Sequence, residues 1–318
     1  MKIVFMGSPD FAVKTLELCV LNHEVIGVFT QPDRPKGRGK QLAKQPVKIA
    51  AEAHNIPVYQ PERIKREEWV EKLRELAPDC IVVVAYGQIL SKEILEIPKY
   101  GCINVHASLL PKYRGAAPIN WAVADGESVS GVTTMKMDVG LDTGDMLLKG
   151  EIEIGKEMTA GELHDELAVI GAELLLDTLH DLEEGTLEGE LQNEEQATYA
   201  SMLNKEISKI DWKMTAHEIE CRIRGFNPWP VAHCIMEEKT LKVFKAETMS
   251  SEALNVEDAA FLKGASPGTV VKVNKDSVVV KAESGYLKLL EIQWGNKKRM
   301  DVGSFLLGHA IEVGTVLI

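Results

Sequence analysis

GCINVHASLLPKYRGAAPIN, residues 101–120, begins with the apolar spacing of a buried strand and then stops behaving like one. Cys102 and Ile103 are followed by Asn104, Val105 and His106, and then by a loop holding Ser108, Pro111, Arg114, Gly115 and Pro118. Successive side chains of an extended chain alternate faces, so Asn104 and His106 point one way and Val105 the other. An amide and an imidazole therefore stand side by side where the chain leaves its sheet.

The flanking sequence says what kind of sheet this is. KIVFM (2–6) is a short apolar run closed by Gly7-Ser8-Pro9-Asp10, with a helical pattern from Phe11 to Leu21. EVIGVFT (24–30) is the next strand; a long loop, QPDRPKGRGKQLAKQ, then precedes a helix from about Pro46 to His54. WVEKLRELA (69–77) has apolar residues at helical spacing and stops at Pro78. CIVVVAY (80–86) is a continuous β-branched run, as expected in a parallel sheet covered on both faces. After residues 101–106 come an antiparallel-looking pair, 129–137 and 145–154, and a helix from about Thr159 to Glu184. This order predicts an α/β unit with an open, mostly parallel Rossmann-like sheet, whose ligands gather beyond the carboxyl ends of the strands. Asn104 and His106 fall there.

Past Glu190 the pattern changes. A polar, weakly periodic stretch reads as a linker, and a short helix near 215–224 leads into RGFNPWPVA, where Gly225 and two prolines mark a turn. Short strands from 231 onward, separated by Gly, Asn and Asp, predict a small C-terminal β-barrel of OB-like type. The expected organisation is an N-terminal domain over 1–189, a linker over 190–208 and a barrel over 209–318.

Composition narrows the class. At 318 residues, 45% hydrophobic and 26% charged, the chain reads as a globular protein with room for two cores. It has no apolar run of about 18 residues, and its opening MKIVFMG is too short for a signal-peptide core, so no membrane association is expected. Five widely spaced cysteines without a C-x-x-C pair argue against a disulfide framework or a thiolate zinc site. They read as reduced thiols of a cytoplasmic protein, and no metal is expected. The net charge of −12 hides its distribution. Residues 150–196 hold 15 Asp and Glu against one Lys, whereas 33–48 hold six Lys and Arg against one Asp. The second segment reads either as a solvated loop or as a cationic finger for phosphates, with Arg34, Lys36, Arg38 and Lys40 set around two glycines.

Other motifs are weaker. Gly7 stands alone in FMGSPDFA, with neither G-x-G-x-x-G nor a P-loop lysine, which disfavours a dinucleotide cofactor. DVGLDTGDM (138–146) lacks the spacing and distal Glu of a calcium loop. Lying between two strands of one sheet, it can curl back and bring a carboxylate to His106. Alone, His106 reads equally well as a structural histidine; with Asn104 and Asp142 it reads as a site.

These residues resemble the 10-formyltetrahydrofolate-dependent formyltransferases. The likeness rests on the Asn-x-His of INVHASLLPKYRGAAP and the aspartate of MDVGLDTGDM, here Asn104, His106 and Asp142. Ser108, Leu109, Leu110 and Pro111 match the family's folate-associated SLLP. Within the family, TQPDRPKGRGKQLAKQPVK (30–48), AYGQIL (85–90), IDW (210–212) and RGFNPWP (224–230) are similar to members that formylate the amine of methionine on initiator tRNA. The resemblance implies 10-formyltetrahydrofolate as co-substrate and Asn104, His106 and Asp142 as catalytic residues. It also implies a basic loop and terminal barrel that engage tRNA, in a protein expected to be a monomer. A sister reading, formyl transfer to a small amine such as glycinamide ribonucleotide or an amino sugar nucleotide, uses the same three residues. A non-enzymatic ligand sensor with an RNA-binding barrel would leave them without purpose.

Overall fold

Short β-branched runs with helical segments between them leave one economical arrangement: strands side by side in the centre and helices over both faces. The computed structural model, which describes residues 1–36, 41–254, 262 and 264–318, adopts it. Its N-terminal strands are β1 (Lys2–Gly7), β2 (Glu24–Phe29), β3 (Arg34–Lys36), β4 (Gln41–Ala43), β5 (Val58–Tyr59), β6 (Cys80–Val84), β7 (Cys102–His106), β8 (Arg114–Gly115), β9 (Val129–Lys136) and β10 (Met146–Glu153). Seven of them form one sheet in the order β10-β9-β7-β6-β1-β2-β5. Strands β5, β2, β1, β6 and β7 run parallel, while β9 is antiparallel to β7 and β10 to β9. Connections leave β1 toward β2 on one side and later return to β6 on the other. The crevice of such a sheet opens at that reversal, beyond Gly7 and Val84 and next to the end of β7. The fold class expected from the sequence is present.

Every residue of β6 and β7 is buried. Asn104 and His106 thus lie in a strand that the register pins firmly, with Val83 opposite Asn104 on one side and Thr133 opposite His106 on the other. A 25-residue helix (Ala160–Glu184) crosses this part of the sheet. It approaches closely because position 171 is glycine: a Cβ there would lie 2.9 Å from Val105 Cγ1 and 3.4 Å from Val132 Cγ1. Two turns farther along, Thr178 Oγ1 and Thr134 Oγ1 share a 2.8 Å hydrogen bond, and neither residue is exposed.

The remaining strands are β11 (Tyr199–Ala200), β12 (His233–Met236), β13 (Lys239–Met249), β14 (Val270–Val273), β15 (Val278–Lys281), β16 (Tyr286–Trp294) and β17 (Met300–Asp301). β11 pairs with β8; the others form an antiparallel sheet in the order β12-β13-β16-β15-β14, with β17 beside β16. The last residues stitch its two edges together. Val270 N–H donates to Thr315 O, and Ile235 and Ile318 exchange both backbone hydrogen bonds. Leu241, Val243, Leu289, Ile292, Phe305 and Leu317 fill the interior of this curled sheet.

The chain divides into two compact units. One comprises 1–118, 129–153 and 164–200; the other comprises 119–128, 154–163 and 201–318. All five cysteines are free and buried, and burial pushes the thiols of Cys19, Cys102 and Cys234 up to about 12. Among the described residues no helix is long and apolar enough to cross a membrane.

Gly171→Val places a branched side chain where Val105 and Val132 already touch. It is expected to destabilise the fold by about 1–3 kcal/mol. Calorimetry would then show a melting temperature several degrees lower, whereas an unchanged value would mean that the helix has room to spare.

Candidate active site

His106 is 6% exposed and Asn104 8%. A buried imidazole needs a partner for its N–H, and the chain supplies one within seven residues: Nε2 donates to Tyr113 O at 2.9 Å. A carbonyl can only accept, so the proton of the neutral ring sits on Nε2 and Nδ1 carries the lone pair. Nδ1 lies 3.7 Å from Asp142 Oδ2, an ion-pairing distance once the ring is protonated. The sequence led us to expect that Asp142 holds the ring in place, but the backbone of Tyr113 does this. No side-chain pattern announces a carbonyl, so sequence reading missed it. Asn104 makes no side-chain hydrogen bond among the described residues, which leaves its amide open to an incoming acceptor.

The turn after β7 is tied to the neighbouring strand. Ser108 N–H donates to His106 O at 2.9 Å, and Ser108 Oγ donates to Lys112 O at 2.6 Å. Thr133 Oγ1 donates to Ser108 O at 2.7 Å and accepts from Leu110 N–H at 3.1 Å. Of the four residues expected to hold folate, Ser108 and Leu110 are each 1% exposed and are spent inside, Leu110 against Met135 and Met146. Leu109 and Pro111 keep partial exposure.

Asp142 arrives by a detour. The antiparallel register starts its loop at the wrong end: Met137 N–H donates to Cys102 O, four positions before His106 along β7. The chain then turns back. Asp138 Oδ1 accepts from Gly140 N–H at 2.9 Å and from Thr143 Oγ1 at 2.7 Å, closing the loop on itself. Asp142 adopts the left-handed conformation with φ +53°, which Asp tolerates better than most residues. Its Oδ2 accepts the backbone N–H of Gly115 at 2.8 Å. Asn104, His106 and Asp142 are thereby brought to one strand end.

The basic segment is less uniform than its sequence. β3 and β4 pair antiparallel, with Arg34 opposite Ala43 and Lys36 opposite Gln41, and Arg34 is exposed. Arg38 and Lys40 lie outside the described residues, as does the side chain of Lys36. Two lysines of the same segment have carboxylate partners within the chain, Lys44 at the surface and Lys48 largely covered. Lys44 pairs with Glu52 at 2.6 Å, and Lys48 Nζ donates to Asp33 Oδ2 and to Gln60 Oε1, both at 2.7 Å. Gln60 Nε2 in turn donates to Gln31 O and Asp33 Oδ1, and Gln31 donates to Ser8 Oγ through its backbone and to Tyr86 O through its side chain. This clamp ties the base of the β3–β4 hairpin to the ends of β1 and β6.

Among the described residues, one group has metal-ligand types within reach of each other: His217, Glu220 and Cys221. Its carboxylate is already held by the Arg224 guanidinium, at 2.5 Å from Nε and 3.0 Å from NH2, and the same guanidinium contacts Cys221 Sγ at 3.3 Å. A resident cation opposes a second one.

Residues 1–179 match the family described as Formyl transferase, and residues 202–310 match its C-terminal domain. A methionyl-tRNA formyltransferase of Clostridium perfringens (strain SM101 / Type A) is 53% identical over 318 residues, covering all of both chains. One from Clostridioides difficile (strain 630) is 51% identical with the same coverage. Among solved structures, a sugar 3N-formyl transferase determined with dTDP and 5-N-formyl-THF superposes with a TM-score of 0.66 at 21% identity, over 94% of this chain and 99% of that one. A methionyl-tRNA formyltransferase from Clostridium thermocellum superposes with a TM-score of 0.53 at 19% identity, over 78% and 94%. At such identities the structural likeness speaks for the fold alone.

The clamp has a pH signature. Hydrogen bonds from Lys48, and secondarily from Gln60, hold the Asp33 carboxyl below the usual carboxylate range. Its contribution is therefore fully present above the unfolded pKa of roughly 3.9 and is lost as pH falls through the lower folded value. Asp33→Asn is expected to cost about 1 kcal/mol at neutral pH. The difference in melting temperature between wild type and variant should shrink toward zero as pH is lowered through the acid range. A difference independent of pH would show that the carboxylate charge is not what the clamp uses.

Proposed function

The chain belongs to the formyl transferase family, and from that premise we propose that it transfers the formyl group of 10-formyltetrahydrofolate to the α-amine of methionyl initiator tRNA. The observation that carries this reading is identity of about half the residues, end to end, with methionyl-tRNA formyltransferases. The meeting of an amide, an imidazole and a carboxylate beside the sheet crevice supports it.

The three residues divide the chemistry. The attacking amine must be neutral, and a free α-amino group has a pKa of roughly 7.7–8.0, so little deprotonation is needed beforehand. As nitrogen adds to the formyl carbon, negative charge grows on the formyl oxygen and Asn104 Nδ2 donates a hydrogen bond to it. The proton shed by the amine moves to His106 Nδ1, the ring nitrogen that Tyr113 leaves unprotonated. Asp142 stabilises the resulting imidazolium from 3.7 Å. The same proton is returned to the departing folate nitrogen as its bond to the formyl carbon breaks. Leu109 and Pro111 offer the apolar edge for the folate, while Ser108 and Leu110 shape the turn beneath them.

The domain roles follow. Residues 1–189 act as the catalytic domain, 190–208 as the linker and 209–318 as the tRNA-binding barrel, in a cytoplasmic monomer that needs no metal. Arg34, Lys36, Arg38 and Lys40 meet tRNA phosphates. Lys44 and Lys48, committed to Glu52 and Asp33, are left out of that set.

Asn104→Ala and His106→Ala are each expected to lower turnover by about 100-fold or more while folate binding persists. Unchanged turnover in both would remove the catalytic assignment. Formyl transfer should be seen with charged initiator tRNA and not with glycinamide ribonucleotide; the opposite preference would establish the small-amine reading. Replacing Arg34 and Arg38 by Gln should weaken tRNA binding and flatten its dependence on log salt by about 0.7–0.9 per lost phosphate contact. Filter binding across a salt series measures this slope, and a slope unaffected by the loop charge would exclude the phosphate role.

A further inference from the structure

Gln192 belongs to a stretch that reads as polar linker, yet it reaches the loop that carries Asp142. Its Nε2 donates one proton to Asp142 O at 2.7 Å and the other to Gly144 O at 2.8 Å. Its Oε1 accepts from Arg114 Nε at 2.9 Å. The Arg114 side chain has no exposed surface, and its two terminal nitrogens fork onto the Glu194 carboxylate at 2.9 and 2.8 Å. Planar, two-pronged contacts of this kind fix direction as well as distance.

The backbone around Gln192 is stitched down on both sides. Glu190 and Met146 exchange two backbone hydrogen bonds, of 2.8 and 2.9 Å, at the start of β10. Tyr199 and Ala200 pair with Arg114 and Gly115. Gly115 N–H is also the donor to Asp142 Oδ2. The Asp142 loop is consequently held from two directions, by Gly115 on the carboxylate and by Gln192 on the main chain. Such bracing is what a non-glycine residue at φ +53° needs to stay there.

We propose that Gln192, oriented by Arg114, is a positioning residue that holds the Asp142 carboxylate beside His106 for formyl transfer. An amide suits this task because one end carries two donors and the other an acceptor. Glutamate in its place would keep the Arg114 contact but turn an oxygen toward two carbonyl oxygens. Methionine would keep the volume and neither polar contact. Arg114 and Glu194 act through Gln192 and do not touch the reacting atoms.

This inference rests on the reading that Asp142 takes part in the reaction, and the test separates the two. Full-length Gln192→Glu, Gln192→Met, Asp142→Asn and the double variant Gln192→Glu/Asp142→Asn are assayed with charged initiator tRNA, alongside folate affinity and thermal melting. Both single Gln192 variants should lose turnover on the order of tenfold or more, because misplacing a catalytic group by about 1 Å is that costly. KM for tRNA and folate affinity should stay within about twofold, since neither depends on Asp142 placement. In the Asp142→Asn background, Gln192→Glu should cost little more, as expected of two residues acting through one carboxylate. Wild-type turnover in folded Gln192→Glu, or a full second loss in the double variant, overturns the proposal. Wild-type turnover in Asp142→Asn overturns the catalytic assignment itself, and this proposal with it.

Discussion

A buried strand cannot carry polar side chains for nothing: an imidazole or amide removed from water without a partner costs about 1–3 kcal/mol. β7 carries both within three residues, and the residues that pair with them across the sheet are Val83, Met135 and Thr133. The turns outside the sheet must therefore come to it. That need explains why the chain at 107–116 folds back over the end of β7, and why the loop after β9 reverses toward His106. The loops meet that demand for the imidazole, through Tyr113 O, and leave the Asn104 amide without a partner among the described residues.

The solution has a chemical consequence. Because the group that satisfies His106 Nε2 is a carbonyl, the ring is locked with its lone pair on Nδ1. A side-chain carboxylate at that position would have drawn the ring into a different protonation preference. Asp142 Oδ2, at 3.7 Å from Nδ1, stands beyond hydrogen-bonding distance of the ring. Backbone holds the orientation, and the carboxylate is left to respond to charge. Asn104, meanwhile, retains an unspent amide at the same strand end.

The cationic segment shows how formal charge misleads. Six basic residues between 33 and 48 form one patch in the sequence. In three dimensions Lys48 is a structural post, bonded to Asp33 and Gln60, and Lys44 neutralises Glu52. The segment 190–200 misleads in the opposite sense. Its polar composition reads as tether, yet Gln192 and Glu194 belong to the support of the Asp142 loop, and Tyr199–Ala200 completes a two-stranded pairing with β8. Polar residues far apart in sequence look identical whether they face water or each other.

Residue pattern alone was enough for the α/β order, the β-branched centre at 80–84, the antiparallel pair after residue 128 and the barrel beyond 231. Each follows from side-chain periodicity or β-branching, which are local properties that a strand or helix expresses wherever it sits. It was enough as well to set Asn104 and His106 side by side at one strand end, whereas Asp142 was singled out among the three aspartates of 138–146 by the resemblance to the formyltransferases. Only the tertiary structure decided that Tyr113 O orients the imidazole, that the Asp142 loop starts beside Cys102 and doubles back, and that Lys48 turns inward. Those facts are matters of register, backbone direction and long-range pairing. Such contacts join residues from 7 to 35 positions apart, the first two through backbone groups that every amino acid carries, so no choice of side chain there records them in advance.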